Sequence, residues 1–300
     1  MNSTTVEKAP PAVDLAQVAI ASRGYWSTVA GRIKRDPVTL FFGCVLLLIV
    51  CLAIFAPYIA PHDPAKASMM MRLKEIGTPG HLLGTDETGR DMLSRLLYGG
   101  RLSLFMGVTP VLYALIIGGS LGIFAGFVGG KISMLIMRTM DVFYAFPSVL
   151  LAIAISGALG AGVGNAILSL TIVFIPPIAR IAESVTTQVR SLDYVEAARA
   201  SGASTLRIIR VHVLSNVLGP IFIYATSLIS VSIILASGLS FLGLGVRPPE
   251  PEWGLMLNTL RQAIYVNPLL AALPGVAIFI TSLSFNLLSD GLRSAMDIRL

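Results

Sequence analysis

The sequence predicts an all-α, polytopic membrane fold with about six spanning helices, and three observations carry that prediction. Hydrophobic residues make up 55% of the 300 residues and charged residues only 13%, a balance that leaves a water-soluble domain without enough polar surface. Apolar stretches long enough to cross the hydrocarbon core recur along the chain. The basic residues gather between those stretches, so the net charge of +6 acts to set orientation and is not a footprint for nucleic acid.

In chain order, residues 1–37 form a polar tail that contains Pro10-Pro11 and ends in the basic cluster Arg32, Lys34 and Arg35. The first apolar run therefore begins too late for an ordinary signal peptide and is retained as a helix. Spans are predicted over 38–60, 103–127, 139–159, 165–181, 219–241 and 268–289. Residues 139–181 are nearly continuous in hydropathy. They are divided where Gly157, Gly160, Gly162 and Gly164 cluster, because a tight turn needs such residues. The domain plan is thus a tail (1–37), a first span (38–60), a long connecting segment (61–102) and a core of five spans (103–300). With the N-terminus inside, fourteen of the 22 Lys and Arg fall on the cytoplasmic side and eight on the outer side, which places both termini in the cytoplasm.

Several kinds of chemistry are missing. Cys44 and Cys51 both lie in the first apolar run, where they read as buried thiols and cannot build a disulfide framework. His62, His81 and His212 have no acidic or cysteine neighbour at ligand spacing, so no metal site is expected. The nearest approach to a phosphate-binding loop, Gly126 to Ile132, lacks its first glycine and has Ile132 where a hydroxyl must follow Lys131. No nucleophile elbow or converging carboxylate pair appears, so the chain is not read as an enzyme. Charged residues deep in the spans are almost absent, whereas ion-coupled carriers need buried ionisable groups; the energy for any transport therefore enters from elsewhere.

Gly118, Gly122, Gly126 and Gly130 recur every four residues on one helical face and form a packing seam. Pro147, Pro176, Pro177 and Pro274 interrupt other spans, freeing carbonyls that either line a path or are satisfied by neighbouring helices. In the outer segment, Asp86 with Arg90 and Asp91 with Arg95 have i,i+4 spacing and predict a surface helix. Arg247 is expected to form a solvated ion pair with Glu250 and Glu252 or to touch a partner.

The most informative segment is 191–214. Asp193 can cap a short helix with Glu196 three residues on, Gly202 supplies the left-handed turn that ends it, and Ser204 or Thr205 can cap the next. Two readings follow from the residues alone. One is an ordinary amphipathic connector; the other is a rigid docking element whose small-residue surface, from Ala197, Ala198 and Ala200, enters a partner's groove.

Glu196-Ala197-Ala198 followed by Gly202 resembles the EAA motif of ATP-binding-cassette (ABC) importer permeases. The run from His81 to Asp91 (His-Leu-Leu-Gly-Thr-Asp-Glu-Thr-Gly-Arg-Asp), continuing from Ser94 to Ser103, resembles a signature of the DppC and OppC branch, which serves dipeptides, oligopeptides and nickel. Asp36-Pro37, the run from Ser240 to Val246 and the run from Pro248 to Gly254 extend that resemblance along almost the whole chain. It implies a type I importer permease fold whose loop 190–218 carries a coupling helix, with Asp193, Tyr194, Glu196, Ala197, Ala198, Ala200, Gly202 and Ser204 docking on an ATP-binding subunit. It further implies a bacterial inner-membrane location, with 61–102 on the periplasmic side. The implied partners are a homologous DppB/OppB-like permease, two ATP-binding subunits that hold the ATP and magnesium, and a periplasmic or lipid-anchored substrate-binding protein. Ser215 departs from the family's frequent proline, which is expected to loosen the turn into the fifth span. An ion-coupled carrier or channel acting alone is the competing expectation, and it predicts transport without ATP.

Overall fold

The computed structural model describes residues 25–296, and within them the chain is helical apart from two isolated bridges and the connecting loops. The part of the expected tail up to residue 24 lies outside the described residues, as do 297–300. A short helix, α1 (Tyr25–Ile33), precedes α2 (Pro37–Ile54). Asp36 caps α2, its Oδ1 accepting the Val38 N–H at 3.1 Å and its Oδ2 the Thr39 hydroxyl, while Pro37 occupies the first turn, where a missing N–H costs nothing. After the four-residue α3 (Ala56–Ile59), the chain runs in loops and a 3₁₀ turn (Met69–Met71) to α4 (Met92–Val128).

The core then follows as α5 (Gly130–Tyr144), α6 (Ser148–Leu159), α7 (Val163–Arg190), α8 (Asp193–Ala200), α9 (Thr205–Phe241), α10 (Trp253–Thr259) and α11 (Pro268–Met296). Five helices (α2, α4, α7, α9 and α11) are each long and apolar enough to cross a membrane, and α5 with α6 adds a sixth candidate bent by 86°. Pro147 sits at that bend, since it cannot continue the helix of α5. By contrast Pro176, Pro177 and Pro274 are carried inside α7 and α11 without ending them.

The register of α4 against α7 decides whether the bent pair is a crossing. A Cβ at Gly118 would lie 2.6 Å from the Ile175 carbonyl oxygen, one at Gly122 would strike Ala179 and Ala182, and one at Gly126 would lie 2.6 Å from the Glu183 carbonyl oxygen. Residue numbers rise together on both helices, so α4 and α7 run parallel, and the chain between them must return across the bundle. The stretch α5–α6 is that return, which makes the bent pair the sixth candidate crossing among the described residues. Contacts between Gly291 and Thr39 and between Gly219 and Met296 bring the start of α2, the first half of α9 and the end of α11 together.

Several expectations are corrected. The helix that carries the second span begins at Met92, eleven residues before the expected 103, because Asp91 caps it there. The fourth span is nine residues longer at its end than predicted, reaching Arg190 because it packs along the whole seam with α4. The fifth span already starts at Thr205, passing through a π-helical stretch (Ile208–Val213) into α-helix. Ser215 is therefore not in a turn; its hydroxyl donates back to the Val211 carbonyl at 2.8 Å inside a continuous helix. Gly130 leaves the seam, because it starts α5 at φ +58 with open space around it. Cys44 is exposed and Cys51 half-exposed, on the outward faces of α2.

Candidate functional site

At the end where α4 and α7 finish, α8 projects between α7 and α9. Only Ser191 and Leu192 separate it from α7. Leu192 takes the extended cap conformation, so Asp193 becomes the first helical residue and the expected Asp193–Glu196 capping box does not form. Both carboxylates instead occupy the first turn, where they complement the helix dipole. The C-terminal stop is a Schellman arrangement: Gly202, at φ +80, donates to the Arg199 carbonyl at 3.0 Å and Ala203 donates to the Ala198 carbonyl at 3.1 Å. Ser204 then holds the cap position of α9 without a side-chain cap bond.

This geometry sorts the predicted docking residues. Val195 is fully buried and anchors α8 to the core, and Ala198 is half-buried against the same cluster. Asp193, Tyr194, Glu196, Ala197, Ala200, Gly202 and Ser204 are exposed together on the projecting surface. Tyr194 is also tied to α9, its hydroxyl accepting from Asn216 Nδ2 at 3.1 Å and its ring lying 6.1 Å from that of His212. Arg190, the last residue of α7, donates to the Gly126 and Phe127 carbonyls at 3.3 and 2.9 Å and so satisfies the C-terminus of α4. Short links thus join α8 to α7 and α9, and Arg190 with the glycine seam joins α7 to α4.

The opposite end of the bundle is a polar clasp, and the expected surface helix is absent from it. Residues 85–91 form a tight turn bridged from Thr85 to Asp91, with Gly89 at φ +77. Asp86 fills the turn: its Oδ1 accepts the N–H groups of Thr88 and Arg90 and the Thr88 hydroxyl, each at 2.9 Å. Its Oδ2 accepts Arg90 Nε at 2.6 Å, and Arg95 Nε lies 3.1 Å away, off the line of a hydrogen bond. Arg95 is 1% exposed and donates to the Pro64 and Pro249 carbonyls at 3.1 and 3.3 Å. The expected Asp86–Arg90 pair exists, but buried. The Asp91–Arg95 pair does not exist, because Asp91 is turned to cap α4 through the Ser94 N–H and hydroxyl at 2.8 and 2.7 Å. Burial works against the charge on Asp91, but hydrogen bonds from His81 and Ser94 outweigh it and hold the carboxyl below its ordinary range.

Glu252 closes the clasp from the other side. It is 1% exposed, caps α10 through the Gly254 and Leu255 N–H groups at 2.9 and 2.8 Å, and accepts the Ser103 hydroxyl of α4 at 2.9 Å. Burial pushes its carboxyl up, against those hydrogen bonds. The expected ion pair with Arg247 is not made; Arg247 donates to the Ala161 carbonyl at 2.8 Å. Trp253 Nε1 donates to the Leu96 carbonyl at 3.0 Å, and the ring packs against Gly99 and Gly100, whose missing side chains make room for it. No spacing in the sequence announces these partners, which are about 150 residues apart along the chain.

Residues 118–300 match the family described as binding-protein-dependent transport system inner membrane component, and residues 24–75 match the N-terminal TM domain of oligopeptide transport permease C. The chain belongs to this permease family. It is 45% identical over 260 residues to the di/tripeptide transport system permease protein DppC of Pseudomonas aeruginosa, covering 85% of this chain and 86% of that one. It is 41% identical over 275 residues to the glutathione transport system permease protein GsiD of Pectobacterium atrosepticum, covering 92% of this chain and 91% of that one. Among solved structures, an inward-facing form of the MetNI methionine ABC transporter covers 68% of this chain and 97% of its own, with a TM-score of 0.56 at 20% identity, a likeness of fold. The permease is thus a membrane-spanning subunit of a bacterial ABC importer, similar to DppC and OppC. Permeases of this class work with further permease, ATPase and substrate-binding components.

Proposed function

We propose that this permease imports short peptides, of di- or tripeptide or glutathione size, and that α8 is the element through which a separate ATPase drives it. The substrate class rests on what the similar permeases are named for. The coupling role rests on one observation above all: a short helix, anchored by buried Val195 and stopped by Gly202, presents Asp193, Tyr194, Glu196, Ala197 and Ala200 outward between two spanning helices. On this reading the α8 end is cytoplasmic and the clasp is periplasmic. A homologous DppB/OppB-like subunit completes the path, two ATP-binding subunits hold ATP and magnesium and perform all the hydrolysis, and a binding protein delivers substrate to the clasp side.

Closure of the motor would push α8, and the displacement would pass through Arg190 and the glycine seam to tilt α4 and α7 together. Charge reversal by Glu196→Lys, or crowding by Gly202→Trp, is expected to abolish peptide uptake and retention of the ATPase while membrane insertion stays normal. Wild-type uptake in both variants would sink the coupling role. Uptake by the purified permease in liposomes without ATP would instead favour a carrier acting alone.

A further inference from the structure

Two of the permease's three histidines, set apart in the sequence, meet at the clasp. His62 follows α3, His81 lies in the loop before the Asp86 turn, and Asp91 caps α4. One ligand atom from each lies within 4.8 Å of the other two. His81 Nδ1 is 2.9 Å and His62 Nδ1 is 3.8 Å from the same oxygen, Asp91 Oδ1. The imidazole rings stack at 4.7 Å between centroids and 29° between planes. His62 Nδ1 is shielded from solvent and has no hydrogen-bond partner among the described residues, and a buried polar atom left so is costly unless something accepts it.

We propose that His62, His81 and Asp91 form a binding site for a divalent transition-metal ion of the zinc class, which staples the loop segment to the start of α4. The donor set is two imidazole nitrogens and one carboxylate oxygen, which suits zinc and its neighbours; magnesium and calcium demand an oxygen shell, and copper(I) prefers sulfur. Ligand atoms around such an ion stand about 3.3 Å apart when its bonds are near 2.0–2.1 Å. The His62–Asp91 spacing therefore has to shorten by about half an ångström and the His81–Asp91 spacing to lengthen by somewhat less. His81 ligates as the tautomer with its proton on Nε2, so the Nδ1 lone pair replaces the present hydrogen bond.

The surroundings orient these ligands. Ser94 Oγ donates to Asp91 Oδ2 at 2.7 Å and accepts the His62 backbone N–H at 3.1 Å, so a single hydroxyl positions two of the three groups. Asp91 Oδ2 is fully engaged by Ser94, which leaves Oδ1 for the ion. The Asp91 side chain is buried, whereas those of His81 and His62 are 16% and 38% exposed. The ligating atoms of His62 and Asp91 are thus shielded while the outer rims of both rings stay exposed, and three protein ligands leave a fourth position for a water.

The test uses the full chain in detergent, purified through a tag without histidines, stripped by chelator and carrying His212→Ala so that only the two clasp histidines remain. Cobalt(II) alone is expected to give a visible absorption band that saturates at one ion per chain, and zinc(II) alone to raise the unfolding temperature. His62→Ala and His81→Ala should each weaken binding about tenfold or more and remove the rise in unfolding temperature that zinc(II) gives over the same variant without metal. Failure of the parent chain to show the cobalt band at one equivalent, or equal binding by the His62→Ala/His81→Ala double variant, would overturn the site. The cobalt measurement needs no variant, so a substitution that misfolds does not shelter the idea.

Discussion

Replacing Gly122 by alanine tests the α4–α7 seam directly. The added methyl would sit 2.6 Å from the Ala182 methyl and closer still to the Ala179 carbonyl oxygen. Apolar carbons rest at about 3.5–4.0 Å, so the helices must part by roughly 1 Å, and neither obstacle is a flexible side-chain end that could swing away. Overpacking of this kind costs about 1–3 kcal/mol. A gap of that size also forfeits a quarter to a half of each dispersion well along the contact, and Gly118 and Gly126 carry the same tight approach one turn to either side. Against this, alanine gains up to about 1 kcal/mol of helix propensity over glycine, leaving a net loss of up to about 2 kcal/mol. The control is Gly157→Ala in α6, where a methyl meets nothing within 4 Å and only the propensity gain of up to about 1 kcal/mol remains. Thermal unfolding of both variants in the same detergent gives the comparison. If Gly122→Ala unfolded at or above the temperature of Gly157→Ala, the seam would not be the close contact described here.

Two further outcomes concern the clasp. Asp86→Asn keeps an oxygen for the turn but leaves Arg90 and Arg95 without their shared charge, so a loss of about 3–5 kcal/mol is expected; protease resistance equal to wild type would argue that water already screens the pair. Glu252 has its carboxyl raised by burial, so its contribution is fully present below the ordinary value of 4.5 and is lost as pH rises through the raised one. Glu252→Gln removes that titration, and the unfolding temperature should then fall less steeply on the rising-pH side than in wild type; parallel curves would contradict this.

Much of the architecture was legible because it depends on composition and on local chemistry. The number of spans follows from hydropathy, since lipid allows backbone polar groups few other solutions. The stop of α8 at Gly202 follows from a positive φ that glycine adopts without steric cost. Each of these needs only a few neighbouring residues. The expected Asp91–Arg95 pair failed because i,i+4 spacing assumes a helix through both residues, and the helix begins only after Asp91. The expected Arg247 pair failed because Glu252 was already committed to α10 and Ser103.

The sequence by itself therefore determined that the chain lives in lipid, crosses it about six times, and carries a short small-residue helix between two spans. Only the tertiary structure decided that α4 and α7 run parallel, so that the bent α5–α6 pair must be a crossing. It alone brought Glu252 to Ser103, Arg95 to Asp86 and the loops at 64 and 249, and His62 to His81 and Asp91. The physical reason is range. Hydropathy, capping and turn chemistry act over a few residues and leave periodic traces, whereas a buried polar contact between distant segments is set by how whole helices pack and leaves no spacing to read.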